Sequence, residues 1–290
     1  MPVPAYERIG DFRLTWGESA RWDDRRERLY FVDCATHDLL WLDRGAPPLV
    51  AMKLPSLPTG LVLTEGNQLV VCLADGLHVV DPDARTHGLL ATYPDGMHGR
   101  ANDANADGAG NLVTGTLNLA PRPGALWWFS SEHGWRLLDD QFGNANGPAV
   151  IDVGTEHTLV FGDTVARKVY GYPYDPVAGS AGTRRVLADY DAMQGAPDGA
   201  TVDGDGGVWS CVLGSGKLVR LTSDGIERTV DLPIPNPSDI AFGGPRLRRL
   251  FVTSIALDLG RGVEPPPEAS WLIAIDDLGV VGRPEARFEL

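Results

Sequence analysis

The stretch PDGATVDGDGGVWSCV, residues 197–212, decides the fold. It reads as a polar residue, a small residue, a short apolar strand, a Gly/Asp turn and a second apolar strand. The same phrase returns at residues 17–33 (GESARWDDRRERLYFVD), 58–73 (PTGLVLTEGNQLVVCL), 101–116 (ANDANADGAGNLVTGT), 145–163 (ANGPAVIDVGTEHTLVFGD) and 237–254 (PSDIAFGGPRLRRLFVTS). Aligned on the second strand, the anchors are Leu29, Leu69, Leu112, Leu159, Val208 and Leu250, spaced by 40, 43, 47, 49 and 42 residues. Self-similarity at this period marks a repeat architecture, and a four-stranded propeller blade has this length. The expected fold is all-β: a six-bladed β-propeller with four antiparallel strands per blade, residues 1–290 forming one domain around a central channel with a metal site.

The runs that follow each phrase are short, rich in Val, Leu, Tyr and Trp, and bounded by Gly, Pro and Asp, which is the signature of strands. They supply third and fourth strands at 39–43 and 47–54, 76–81 and 88–92, 124–129 and 135–138, 168–174 and 183–187, and 217–221 and 228–232. In the sixth blade the expected pair is 271–275 and 280–282. A ring of blades has to close to avoid an open edge. Residues 6–14 and 287–290 are expected to meet in one blade. Irregular segments at 118–123, 189–196 and 258–269 are expected loops, and no amphipathic helix is expected.

The formal net charge of −14 argues against nucleic acid and anionic membrane surfaces as partners. Cys34, Cys72 and Cys211 are odd in number, widely spaced and set in apolar strands, so they read as reduced, structural thiols of a cytoplasmic protein. The N-terminal MPVPAYERIGDF lacks the pattern of a signal peptide, and no apolar run is long enough to span a bilayer. Nothing in the chain fixes the assembly beyond a monomer or small homo-oligomer.

One position recurs just before the first strand of every repeat. It holds Glu18, Thr59, Asn102, Asn146, Asp198 and Ser238. The first strand of a blade lies nearest the central channel, so equivalent positions form a ring around it. All six side chains carry oxygen. Glu18, Asn146 and Asp198 together offer two carboxylates and an amide, a set that suits a hard divalent cation. Taken singly, Asp198 in Pro-Asp-Gly and Asn146 in Asn-Gly read as turn residues, Glu18 as a surface acid, and Thr59 and Ser238 as strand-start hydroxyls. Their shared phase is what turns them into a site. His98, two residues before Arg100, is a candidate acid or base at the mouth. Asp203-Gly204-Asp205 reads as a hairpin turn, and Gly214–Lys217 (GSGK) lacks the residues of a phosphate loop.

At these residues the sequence resembles the gluconolactonase, regucalcin (senescence marker protein) and luciferin-regenerating-enzyme-like family. The likeness is carried by Gly17-Glu18-Ser19-Ala20, by Arg100-Ala101-Asn102-Asp103 with Asp107 and Gly110, by Asn146-Gly147, by Pro197-Asp198-Gly199-Ala200, and by the tail Pro284-Glu285-Ala286-Arg287-Phe288. It extends over nearly the whole chain. It implies a six-bladed propeller with one divalent cation in its channel, held by Glu18, Asn146 and Asp198. It implies that Arg100 and Asn102 contact the substrate, Asn102 close to the metal, and that the substrate is a lactone of a sugar acid. Some members carry a glutamate shortly after the Gly-Thr of the third blade. Here Gly115-Thr116 leads into Leu117-Asn118-Leu119-Ala120-Pro121, with no acid, which points to a less hydroxylated or differently shaped lactone.

The expected activity is divalent-metal-dependent hydrolysis of a small-molecule lactone, with Asp198 as general base and Arg100 holding substrate oxygens. Ca²⁺ comes first among the ions, with Mg²⁺, Mn²⁺, Zn²⁺ and Fe²⁺ as alternatives. The alternatives in function are an esterase or phosphotriesterase-like hydrolase on the same site, and a non-catalytic metal-binding propeller.

Overall fold

The computed structural model describes residues 4–117, 123–260 and 262–290. Six antiparallel sheets follow one another along the chain. Blade 1 is Gly17–Asp23, Arg28–Asp33, Asp38–Asp43 and Leu49–Lys53. Blade 2 is Gly60–Thr64, Leu69–Leu73, Gly76–Asp81 and Thr86–Thr92. Blade 3 is Arg100–Ala106, Leu112–Leu117, Gly124–Ser130 and Gly134–Phe142. Blade 4 is Ala145–Val153, Glu156–Asp163 and Lys168–Asp175, with Ser180–Ala181 and Arg185–Asp189 both pairing with the third strand. Blade 5 is Ala196–Val202, Val208–Leu213, Lys217–Thr222 and Gly225–Asp231. Blade 6 is Pro237–Gly243, Arg249–Ser254 and Ile273–Ile275. All six sequence anchors fall in the second strand of their blade.

The apolar core is divided into six clusters, one at each face between neighbouring blades. Strand alternation explains the division. In blade 1, Tyr30 and Val32 pack toward blade 2, while Leu29 and Phe31 pack toward blade 6. Both faces of the inner strands are covered, which is why these strands read as near-continuous apolar runs. Trp22 of blade 1 stacks on Phe251 of blade 6 at 5.6 Å between centroids, across the closure.

Both ends of the chain depart from the expectation. The outer strand of blade 6 is Tyr6–Arg8, paired antiparallel with Ile273–Ile275, and not residues 280–282. The C-terminal strand Arg287–Phe288 does not join it; it pairs in parallel with the inner strand of blade 2. The reason lies in what covers the far end of the channel. The Gly204 amide donates to the Val281 carbonyl and the Gly282 amide to that of Leu247. Arg283 reaches Asp152 at 3.0 Å, and Arg287 reaches Asp23 at 2.7 Å and the Thr64 carbonyl at 3.1 Å. The Glu289 amide donates to Gly110. The tail thus touches the last turn of each blade's inner strand and closes the channel from below.

Three 3-10 turns, Asp191–Met193, Pro245–Leu247 and Pro267–Ser270, are the helical elements among the described residues. No helix there is long and apolar enough to cross a membrane. Cys34, Cys72 and Cys211 are buried thiols. The expected loop at 118–123 lies, apart from Pro123, outside the described residues, as does the stretch after Leu117 where an acid is missing.

Candidate active site in the channel mouth

The six ring positions stand at the start of the inner strands, and the turns that Asn146-Gly147 and Asp198-Gly199 would suggest if taken singly are not formed. Both pairs lie within strands. What the sequence encodes there is a β-bulge. Pairing between the first two strands slips by one residue after Glu18, Asn102, Asn146, Pro197 and Pro237, in five of the six blades. A bulge re-aims the side chain beside it. Ser19, Asp103 and Gly147, each one residue past the ring, carry φ of 54°, 52° and 56°. At Gly147 a side chain has no room, since a Cβ would lie 2.5 Å from the Asp198 carbonyl oxygen. Glycine serves both needs, the left-handed backbone and the close approach.

The candidate residues form a connected belt. Trp16 Nε1 donates to Glu18 Oε1 at 3.1 Å. Arg100 lies over the Trp16 ring at 5.5 Å and donates to Asn102 Oδ1 at 2.9 Å. Asn102 Nδ2 donates to Asn146 Oδ1. Asn146 Nδ2 donates to Thr164 Oγ1 at 2.8 Å, and Thr164 gives its own proton to the Pro197 carbonyl at 2.9 Å. That last bond fixes the Asn146 amide with its oxygen toward the mouth. Asp33 and Asp163 hold the entries to the strands that carry Glu18 and Asn146, accepting from Thr15 and Trp16 and from Gly143 and Asn144.

Thr59 and Ser238 turn away to the backbone: Ser238 Oγ donates to the Gly17 carbonyl and Thr59 Oγ1 to that of Cys72. The Ser238 bond ties blade 6 to blade 1, while the Thr59 bond stays within blade 2. His98 is exposed on the loop before Arg100.

Beneath the ring lies a second tier that sequence reading did not assign. Asp103 and Asp239 are buried and share the Arg21 guanidinium, at 3.3 and 3.0 Å. The signal was present as the polar doublets Asn102-Asp103 and Ser238-Asp239, and as one arginine inside an apolar strand. Four acids therefore face one axis. Burial, then Asp239 and Asp103, push the Glu18 carboxyl well up. Burial, then Glu18, Asp103 and Asp239, do the same to Asp198. Burial raises Asp239 to about 7 although Arg21 opposes it. Burial pulls the Arg100 guanidinium down.

Such crowding fits a cation. Two carboxylates and a fixed amide oxygen make a hard donor set, and the buried Ser19 hydroxyl beside Glu18 has no partner among the described residues. No group of three or more His, Cys, Asp or Glu side chains among the described residues is set to hold a metal, so an ion here would need the Asn146 oxygen as well as the two acids. A cavity of about 690 Å³ lies away from the channel, between blades 6 and 1 over Trp22 and Phe251, and holds none of these residues.

These features define a class: a closed six-bladed propeller whose channel is stoppered below and carries a carboxylate-bearing polar ring above. Residues 16–256 match the model described as the SMP-30/gluconolactonase/LRE-like region, and the chain belongs to that family. A pentonolactonase of Haloferax volcanii is 30% identical, with 98% of each chain covered. A 6-deoxy-6-sulfogluconolactonase of Pseudomonas putida is 31% identical over 82% of each. Among solved structures, a luciferin-regenerating enzyme superposes with a TM-score of 0.91 at 25% identity, covering 99% of this chain and 100% of that one.

Proposed function

We propose that this protein is a divalent-cation-dependent lactonase that opens the ring of a sugar-acid lactone, an aldono-1,4- or 1,5-lactone, or a related lactone. The belt from Glu18 through Trp16, Arg100 and Asn102 to Asn146, with Asp198 on the same rim, carries this reading. The lactonases among its relatives support it. The domain is taken as residues 1–290, one propeller.

Glu18, Asn146 and Asp198 would hold the ion, with Ca²⁺ favoured by the all-oxygen set. When bound, it supplies Lewis-acid polarisation of the lactone carbonyl and acidifies a water. Asp198 would take the water's proton as general base. Asn102 and Arg100 are the donors that orient the ring oxygens. Arg100 is held over Trp16, so its planar fork is preset before substrate arrives. Its charge also steadies the oxyanion that forms as water adds.

The test is hydrolysis by chelator-stripped protein, with single ions restored and a panel of aldonolactones, simple lactones, esters and phosphotriesters followed by acid release. Lactone opening that returns with one or more ions is expected. Equal activity without any ion would remove the metal from the mechanism. Turnover of phosphotriesters with no lactone opening would move the protein to another hydrolase class, and no turnover at all with intact ion binding would make it a binding propeller.

A further inference from the structure

We infer that Arg21 is a positioning residue for the mouth: a permanent internal cation that fixes the ligand-bearing blades relative to one another. This rests on the lactonase reading above. Arg21 is only 2% exposed. Its guanidinium donates to Asp239 Oδ2 at 3.0 Å, Asp103 Oδ1 at 3.3 Å, and the carbonyls of Ala20 and Ala104 at 2.6 Å each. Those oxygens belong to blades 1, 3 and 6. A planar fork can satisfy several such acceptors at once where a single ammonium cannot.

The geometry is transmitted by Asp103. Its Oδ1 accepts from Arg21 and from the Ala104 amide at 2.7 Å, and its Oδ2 accepts from the Gly147 amide at 2.8 Å. Its own amide donates to the Thr59 carbonyl at 2.7 Å. One residue thus joins blades 1, 2, 3 and 4, its carboxylate reaching 1, 3 and 4 and its amide reaching 2. It is flanked by Asn102 and bonded to the residue after Asn146, the two amides that meet in the mouth. Arg21 itself lies three residues beyond Glu18 on the same strand. Moving Arg21 moves both sides of the ring. Two carboxylates and two carbonyls also form the kind of cage a hard cation would take. Arg21 occupies that cage.

Arg21 acts without touching substrate, so its test reads ion binding as well as turnover. Arg21→Lys keeps the charge and loses the fork. Asp103→Asn keeps an acceptor for Arg21 and loses the one that holds Gly147. Titration calorimetry with Ca²⁺ and with Mn²⁺, thermal denaturation, and kcat at saturating ion are measured on both variants and the native protein. The expected result is a loss of about 10–100-fold in ion affinity or kcat in the folded variants, the range seen when residues behind metal ligands are changed. If either variant folds with native ion affinity and native kcat, only its melting temperature lowered, Arg21 is structural and the inference fails. If Arg21→Lys does not fold, Asp103→Asn decides. If neither folds, the double change Arg21→Met with Asp239→Asn decides by the same measurements, native affinity and kcat again overturning the inference. A native protein that opens lactones yet binds neither ion removes Ca²⁺ and Mn²⁺ from the proposed function, and this inference falls while the lactonase reading stands.

Discussion

Replacing Asp198 by Asn should remove activity and, without a cation, make the protein more stable. The Asp198 carboxyl is 4% exposed, and burial followed by Glu18, Asp103 and Asp239 pushes it well above its ordinary 3.8. A carboxyl raised in this way keeps its proton in the folded state at pH values where the unfolded chain has released it. Its presence therefore costs stability as pH climbs from about 4 toward the raised value, the opposite of a salt-bridged aspartate. The cost grows by about 1.36 kcal/mol per pH unit, which caps it at about 4 kcal/mol at pH 7. Asparagine has the same shape and no such proton. For 290 residues the unfolding entropy is about 0.6 kcal/mol/K, so the variant should melt up to about 7 °C above the native protein at pH 7. The two should converge near pH 4. Differential scanning calorimetry in chelator at pH 4, 5.5 and 7 measures the gap. Lactone turnover at saturating Ca²⁺ should fall by about 10²–10⁴, the share of a general base. A variant that melts below the native protein at pH 7, or a gap that does not widen with pH, would refute the account of crowded acids.

Two further outcomes follow from the backbone. Gly147→Ala places a side chain at φ +56° and 2.5 Å from the Asp198 carbonyl. It should cost at least about 1–2 kcal/mol from the left-handed conformation alone and lower kcat as Asn146 shifts, and native kcat and melting temperature would show that the strand relaxes freely. Deleting residues 1–8 removes Tyr6–Arg8 and bares the edge of Ile273–Ile275. Light scattering should then show association and the melting temperature should drop, whereas a monodisperse protein with native melting would mean the N-terminal strand does not secure the ring.

The repeat was legible because each blade must place two apolar faces against two neighbours, and that demand writes itself into the alternation of runs such as Arg28–Asp33. The ring was legible for the same reason: a fixed blade geometry puts Glu18, Asn146 and Asp198 in phase. The bulges were not. Ser19 and Asp103 adopt left-handed backbone although neither is glycine, and Asp103 is held there by bonds to three other blades. The partners of Arg21 come from residues up to 218 positions away, so no local pattern announces them. The chain ends escaped too. Tyr6–Arg8 and Arg287–Phe288 are too short to show a period, and their sheets are chosen by which edge or channel end remains open. Thr164 was hidden because its part is to aim an amide, which any hydroxyl after a strand could do.

The C-terminal segment that caps the channel has a consequence for traffic. Arg21 and the tail lie across one end of the channel, and the rim of Glu18 and Asp198 stands at the other. On the proposed function, substrate, product acid, water and ion would share the rim where Glu18 and Asp198 stand, and whatever arrived last would depart first.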